Sequence, residues 1–137
     1  MMSGQHERYA VKSLIILVAL FVFMGSTYAD SSALNAAAEI EGLLSRIGAC
    51  ECQFYRNGTW YTGAEAQAHL KKKYDYLHER GLAETAEEFI ANAATKSSVS
   101  GEAYQIRCGS QNPVPSAQWL TEELQRLRTQ PVTRTPQ

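Results

Sequence analysis

The stretch from Cys52 to Tyr61, Cys-Gln-Phe-Tyr-Arg-Asn-Gly-Thr-Trp-Tyr, constrains the fold more than any other part of the chain. Asn57-Gly58 lies between two short runs of aromatic and polar residues. Asn and Gly both tolerate the positive φ angles of a two-residue type I′ turn, and the twist of that turn matches the twist of two paired strands. The stretch therefore predicts a β-hairpin.

A third strand is predicted at residues 103–108, where side chains that favour the core alternate with polar ones. Residues 109–115 that follow have the composition of a loop. An isolated hairpin is marginally stable in water, so a third strand beside it is expected to complete a small sheet.

The cysteines suggest how these strands are joined. Cys52 begins the hairpin and Cys108 ends the third strand. If the two strands pair, the two Cβ atoms approach to about 4 Å, as a disulfide requires. We predict a Cys52–Cys108 bridge with Cys50 free. Cys50 shares the face of Cys52 by strand alternation and is the competing partner.

Four helices are predicted from apolar residues that recur at helical spacing: 31–47, 63–80, a third that begins after Thr85, and 117–128. Thr85 and Glu88 have the spacing of a capping box, and Ser116 is the predicted cap of the last helix. The predicted fold class is α+β, with a small antiparallel three-stranded sheet, the hairpin plus one later strand, packed against about four helices.

The N-terminal residues predict export, and the C-terminal residues predict a disordered tail. Residues 1–29 have the three parts of a secretory signal: basic residues, an apolar run at 14–24, and small residues at Thr27 and Ala29. As a helix the run spans roughly 16 Å, well short of a bilayer core of about 30 Å. We expect cleavage after Ala29 and no membrane span thereafter, with an uncleaved anchor as the alternative. The protein would then be periplasmic or secreted, with one α+β domain at 30–128 and a disordered tail at 129–137.

The charge of the chain and the spacing of its cysteines exclude several function classes. The chain has 13 basic and 14 acidic residues, a net charge of −1, and its only basic run is Lys71-Lys72-Lys73. Since nucleic-acid binding requires a concentrated basic face, no nucleic-acid partner is expected. Cys-x-Cys with one remote cysteine lacks the paired spacing of zinc sites. No metal and no cofactor is predicted.

Four ordered motifs resemble a known family. They are Phe54-x-Arg56-Asn57-Gly58, Ala66-x-x-His69-Leu70-x-x-Lys73, Thr85-Ala86-Glu87-x-Phe89-Ile90 and Ser97-Ser98-x-Ser100-Gly101-x-x-Tyr104. Together they resemble the YfeK-like family, a domain of unknown function found in short exported bacterial proteins. The resemblance spans most of residues 34–128. It implies a small, signal-bearing, periplasmic protein and assigns no activity. Not all members have the cysteine pair, and Cys50 departs from the family pattern.

Eight polar residues are the candidate binding residues: Arg56, Asn57, His69, Lys73, Ser97, Ser98, Ser100 and Arg107. Each also has a structural explanation. Asn57 suits the φ angle of the turn, and a lone His69 on a helix is ordinarily a packing residue. As a general base, His69 would need a nucleophile beside it and a group to orient it. One of the three serines and Glu87 would have to supply them, although no serine here lies in a Gly-x-Ser-x-Gly motif.

Binding is the other chemistry that the sequence suggests. A turn rich in serine and ending in Gly101 can present amides and hydroxyls to an anion or a sugar, with Arg56 or Arg107 nearby. Trp60, Tyr61 and Tyr104 are candidates for a sugar-stacking face, and equally for the core.

We expect a non-catalytic binding or interaction module of the cell envelope, whose partner is an envelope protein or a cell-wall fragment. A periplasmic inhibitor or immunity-type protein is the alternative. A small hydrolase that uses His69 with a nearby serine is the third hypothesis.

Overall fold

The computed structural model describes residues 28–130, with side chains from Asn35 onward. The first helix, α1, is Tyr28–Ala49. Its buried residues recur at spacings of three and four, which turns one apolar stripe toward the core. They are Ala36, Ile40, Leu43, Leu44 and Ile47. The compact unit that begins at Ala33 contains every described strand and the helices that follow α1.

The predicted hairpin is present. Strand β1, Cys52–Arg56, pairs antiparallel with strand β2, Thr59–Thr62. Asn57 and Gly58 form the turn with φ angles of 48° and 85°, the positive values that a type I′ turn requires. Along β1 the buried residues Cys52 and Phe54 alternate with the exposed Gln53, so one face of the hairpin is turned toward the core.

The sheet has four strands, and the prediction of three was wrong. Its order is β2-β1-β3-β4, where β3 is Gln105–Cys108 and β4 is Val114–Pro115, and all three pairings are antiparallel. The missed strand, β4, has only two residues and lies in the segment that was predicted as a loop. Proline cannot donate to a ladder but is tolerated at a sheet edge, where no donor is needed on the open side.

The helices after the hairpin are α2, Gly63–His78, α3, Ala86–Ala93, and α4, Ser116–Thr129. A capping box that the sequence analysis missed begins α2: the Glu65 amide donates to Thr62 Oγ1, and the Glu65 carboxylate accepts from the Thr62 amide. At α3, Thr85 caps as predicted, but the Glu88 carboxylate accepts from the amide of Glu84 instead of that of Thr85.

The core lies between the helices and the inner face of the sheet. Its largest fully buried side chains come from four elements, α1, α3, β3 and α4: Phe89, Ile40, Leu43, Leu44, Ile47, Ile106, Leu120 and Leu124. At one end of the sheet, Cys52 and Cys108 face each other in register and form a disulfide bond, the pairing that strand alternation predicted. Cys50 is free, and its thiol donates to the carbonyl of Ile47.

The predicted signal peptide and tail fall almost entirely outside the described residues. Tyr28 and Ala29 begin α1, and Thr129 ends α4. Within residues 28–130, no helix is both long and apolar enough to span a membrane. Export and cleavage after Ala29 stay predictions.

Candidate functional site

A half-open pocket lies where the hairpin, α2, the start of β3 and the beginning of α4 meet. It encloses a cavity of about 40 Å³. Its walls are mostly apolar and aromatic, with contributions from Phe54, Tyr61, Leu70, Tyr104 and Leu120. The polar side chains of Arg56, His69 and Ser116 also line it. We call this the hairpin pocket.

Arg56 and His69, two of the predicted site residues, meet in the hairpin pocket. Arg56 Nη1 lies 3.0 Å from His69 Nδ1 and 3.4 Å from Nε2. A guanidinium has donors and no acceptor, so the nearer nitrogen, Nδ1, must accept. The ring proton then belongs on Nε2, which lies 3.3 Å from the Tyr104 hydroxyl. His69 is therefore held as one neutral tautomer between a cation and a phenol.

The surroundings of His69 favour that neutral form. Burial lowers the pKa of His69 from its ordinary value, and the positive charges of Arg56, Lys73 and Lys72 lower it further. Because Nδ1 already accepts from Arg56, the lone pair that a general base would use is occupied. This arrangement suits a positioning or binding role better than proton abstraction.

Lys73 and Tyr104 form the wall beside His69. Lys73 Nζ donates to the carbonyl of Lys96 at 2.8 Å and lies 5.2 Å from the centre of the Tyr104 ring. Burial lowers the pKa of Lys73 and raises the pKa of Tyr104. Both contacts connect α2 to the segment between α3 and β3, so Lys73 stabilises this wall of the pocket.

The loop that contains Ser97, Ser98 and Ser100, called the serine loop, is hydrogen-bonded to the hairpin turn and not to His69. Ser100 Oγ donates to Asn57 Oδ1 at 2.6 Å, and Asn57 Nδ2 donates to Ser97 Oγ at 3.3 Å. The hydroxyl of the buried Ser97 also accepts from the amides of Val99 and Ser100. Hydrogen bonds among Asn57, Ser97 and Ser100 thus join the hairpin turn to the serine loop. Two of the amides that an anion would need are already occupied.

The remaining candidates lie elsewhere. Ser98 is exposed in the loop. Arg107 bonds to Gln53 and lies 4.3 Å from the centre of the Trp60 ring, on the outer face of the sheet. Trp60 and Tyr61 point to opposite faces because they are neighbours on a strand, so the three aromatics considered for sugar stacking do not share one face. Of these three aromatics, Tyr61 and Tyr104 line the hairpin pocket and Trp60 does not.

Residues 34–128 match the family described as "Family of unknown function (DUF5329)", and this match covers most of the chain. The chain belongs to this family. No curated protein and no solved structure matches it. The matched region contains every residue of the hairpin pocket.

The most informative residue of this DUF5329 domain was assigned the wrong role from sequence. Ser116 was predicted to cap α4, but the cap position is Pro115, and Ser116 is the first helical residue. Its side chain is only 3% exposed, its Oγ has no hydrogen-bond partner among the described residues, and it lines the hairpin pocket. No local sequence signal marks the shift of the cap from Ser116 to Pro115. The cavity that Ser116 meets depends on distant residues.

Three other chemistries find little support in the described part of the DUF5329 domain: a metal site, a His69 base oriented by Glu87, and a reactive Cys50 thiolate. Within residues 28–130, no cluster of three His, Cys, Asp or Glu side chains could hold a metal ion. Glu87, the proposed orienting group for His69, instead forms an ion pair with Arg128 at 2.7 Å, and this contact lowers its pKa. Burial raises the pKa of the Cys50 thiol, which opposes formation of the reactive thiolate.

Proposed function

We propose that this protein is a non-catalytic binding module of the cell envelope and that the hairpin pocket is its binding site. It would act in the periplasm or outside the cell, after removal of residues 1–29. Its partner would be a cell-wall fragment or an envelope protein that presents a small group to the pocket. The observation that carries this proposal is the half-open apolar pocket whose polar groups, Arg56, His69 and Ser116, converge from three different elements.

The hydrogen bonds of His69 support binding over hydrolysis. Its ring contacts Arg56 and Tyr104, whereas the hydroxyls of Ser97 and Ser100 bond to Asn57. A nucleophile must lie within hydrogen-bond reach of its base. Ser116 lines the same pocket, but no hydrogen bond joins it to His69 among the described residues.

The size of the cavity limits what it can hold. Pockets for whole small-molecule ligands measure about 300–1,000 Å³, whereas this cavity measures about 40 Å³. It suits the end of a larger molecule, such as one functional group of a cell-wall fragment, with the rest of that molecule on the surface.

The proposed location and the YfeK-like assignment each have support in the sequence. The three-part pattern of residues 1–29 is typical of secretory signals. The four motifs that resemble YfeK-like proteins lie inside the region that matches DUF5329. We propose that this chain is a YfeK-like member and is exported as such proteins are.

Filling the pocket tests the proposal. Ala66 is 9% exposed and lines the cavity, and Ala68 is exposed on the same helix. Ala66→Val and Ala68→Val therefore make the same chemical change with the same loss of helix propensity, but only the first narrows the pocket. The assay is co-sedimentation of each purified protein with isolated cell-wall sacculi and with envelope vesicles.

We expect Ala66→Val to lose binding and Ala68→Val to keep it. Equal binding by both variants would exclude the pocket as the binding site. Release of soluble fragments from the sacculi by the wild-type protein would instead favour the hydrolase.

A further inference from the structure

We infer that the hairpin pocket recognises a carboxylate on a small apolar group, with Arg56 and Ser116 as its two anchors. This inference rests on the proposed function, because it names the chemistry that the proposed binding site would select. Its support is threefold: a buried hydroxyl and a half-buried cation that both lack partners among the described residues, and the beginning of a long helix beside the same cavity.

Ser116 provides the first observation. Buried hydroxyls in proteins are nearly always hydrogen-bonded, because leaving one unpaired in a dry site is costly. Ser116 is only 3% exposed, and its hydroxyl lacks a partner within residues 28–130. Since it lines the cavity, a bound group in the cavity is its natural acceptor.

Arg56 provides the second observation. Four arginines in the described part of the chain have a carboxylate within ion-pair distance: Arg46, Arg80, Arg126 and Arg128. Arg56 has none there, although it is half-buried. Only its Nη1 is used, by His69, and its Nη2 and Nε have no hydrogen-bond partner among the same residues. A guanidinium with free donors can bind a carboxylate through two parallel hydrogen bonds.

The other charges near the pocket agree with an anion. Lys72 and Lys73 add positive charge beside His69. Glu65 is the one carboxylate among the described residues that lines the pocket. Its Oε2 accepts from the amide and the hydroxyl of Thr62, and these hydrogen bonds lower its pKa, so its single negative charge is set against the positive charges of Arg56, Lys72 and Lys73. Helix α4 has neither an acidic residue in its first turn nor a side-chain cap. The Ser116 amide donates to the carbonyl of Tyr104, but no carboxylate in the first turn offsets the positive end of the helix dipole there.

The walls and the size of the cavity narrow the class of anion. The apolar lining favours a carboxylate attached to a small apolar group over a hydrated phosphate. A C-terminal residue of a peptide with a small side chain has this chemistry, and so does a short fatty acid. The two sources differ in the amide group that precedes the carboxyl-bearing carbon of a peptide.

Titration with four probes tests the inference, followed by the amide resonances of Tyr104, Ser116 and Leu120 in the ¹⁵N-labelled protein. The probes are N-acetylalanine, N-acetylalanine amide, propionate and inorganic phosphate. We expect saturable shifts with N-acetylalanine and binding about tenfold weaker with its amide, because the charge-assisted hydrogen bond is lost. Propionate that binds as tightly as N-acetylalanine would support any small carboxylate, and weaker binding would support a peptide terminus.

Matched variants assign the contacts. Arg56→Gln is expected to weaken N-acetylalanine binding by about tenfold and Ser116→Ala by about fivefold. Arg107→Gln is the control, since Arg107 also has no carboxylate partner within residues 28–130 but lies on the outer face of the sheet. Arg56→Lys covers the case in which Arg56→Gln does not fold, and it should bind less tightly than wild type because it loses the paired donors.

Three results would overturn the inference: equal binding of N-acetylalanine and its amide, phosphate binding as tight as N-acetylalanine binding, or no response to any probe. The last would mean that the cavity holds only water. If the probes fail while Ala66→Val still abolishes binding to sacculi or vesicles, the carboxylate inference falls and the proposed function stands. If the probes bind while Ala66→Val and wild type bind the envelope preparations equally, the proposed function falls alone.

Discussion

The buried polar groups at the two ends of helix α4 differ in whether they have hydrogen-bond or ion-pair partners. In its second half, Glu123 is 5% exposed and its carboxylate forms ion pairs with Arg46, at 2.8 Å, and with Arg126. At its beginning, Ser116 is 3% exposed and has no partner among the described residues, and Arg56 on the facing strand lacks a counter-ion there. We call the second half of α4 the saturated end, because the buried Glu123 has ion-pair partners there. We call the beginning of α4 the pocket end, because Ser116 and the nearby Arg56 lack such partners among the described residues.

The ion pairs of the saturated end also include those of Arg128. Arg128 binds the carboxylates of Glu39 at 2.8 Å and Glu87 at 2.7 Å, and these hydrogen bonds raise its pKa. These contacts join α4 to α1 and α3. Polar groups that serve only the fold find partners within it. The difference between the two ends therefore locates the candidate site better than the mere presence of polar residues does.

Removal of the disulfide should give the largest loss of stability and should act on the fold as a whole. The Cys52–Cys108 bridge closes a loop with a sequence separation of 56. In the chain-entropy model, the double variant Cys52→Ala/Cys108→Ala should lose about 4 kcal/mol. Urea unfolding measures this loss. A loss below about 1 kcal/mol, or a Cys50–Cys108 linkage in non-reducing peptide maps, would contradict the assignment.

That bridge could be predicted because it depends on local rules. Asn57-Gly58 sets the turn and strand alternation sets the faces, so Cys52 and Cys108 follow without knowledge of the packing. Strand β4 could not be predicted in the same way. It has two residues, Val114 and Pro115, and no periodicity can be read from two positions. It exists because the chain passes beside the free edge of β3.

The candidate site was only partly predictable for the same reason. The polarity of Arg56 and His69 marked them as candidates, but their contact depends on how α2 packs across the hairpin. Asn57 bonds to Ser97 and Ser100 and none of the three bonds to His69, an arrangement that spacing along the chain does not reveal. Ser116 was misassigned because a serine before an apolar helix resembles a cap. Its real environment comes from three other elements.

Glu123→Gln tests the saturated end. The substitution keeps the shape of the side chain but removes the charge that pairs with Arg46 and Arg126. Removing one partner of a fully buried pair costs about 3–5 kcal/mol, but both arginines reach solvent, so we expect about 2 kcal/mol. Glu122→Gln is the control, because Glu122 is exposed, and it should stay within about 0.5 kcal/mol of wild type. Equal effects of the two variants would remove the contrast between the two ends.

His69→Gln tests the pocket end. Glutamine has one acceptor and one donor group for Arg56 and Tyr104, so we expect a loss of about 1 kcal/mol at neutral pH. In the wild type the folded-state pKa of His69 lies below its ordinary value of 6.5. The unfolded chain therefore binds more protons in between, and the contribution of His69 to stability is complete above pH 6.5 and is lost as pH falls through the folded pKa.

Unfolding at pH 7 and pH 5 should show a smaller loss of stability on acidification in His69→Gln than in wild type. Binding to the envelope preparations should be nearly intact in the variant. A fully stable variant that fails to bind would show that His69 contributes to binding directly. Fragment release from sacculi by the wild type that the variant loses would instead identify His69 as a base and favour the hydrolase.

Ser116→Ala should have the smallest effect on stability, and Ser97→Ala shows why. Both serines are buried, at 3% and 4% exposure. Ser97→Ala removes a hydroxyl that serves Asn57 and two amides, so we expect a loss of about 1 kcal/mol. Ser116→Ala removes a hydroxyl without a partner among the described residues, so the free energy of unfolding should stay unchanged or rise slightly. Thermal and urea unfolding of the two variants, without any ligand, compare them directly. A loss at Ser116 as large as that at Ser97 would mean that its hydroxyl is already satisfied in the free protein, and the contrast between the two ends of α4 would lose its basis.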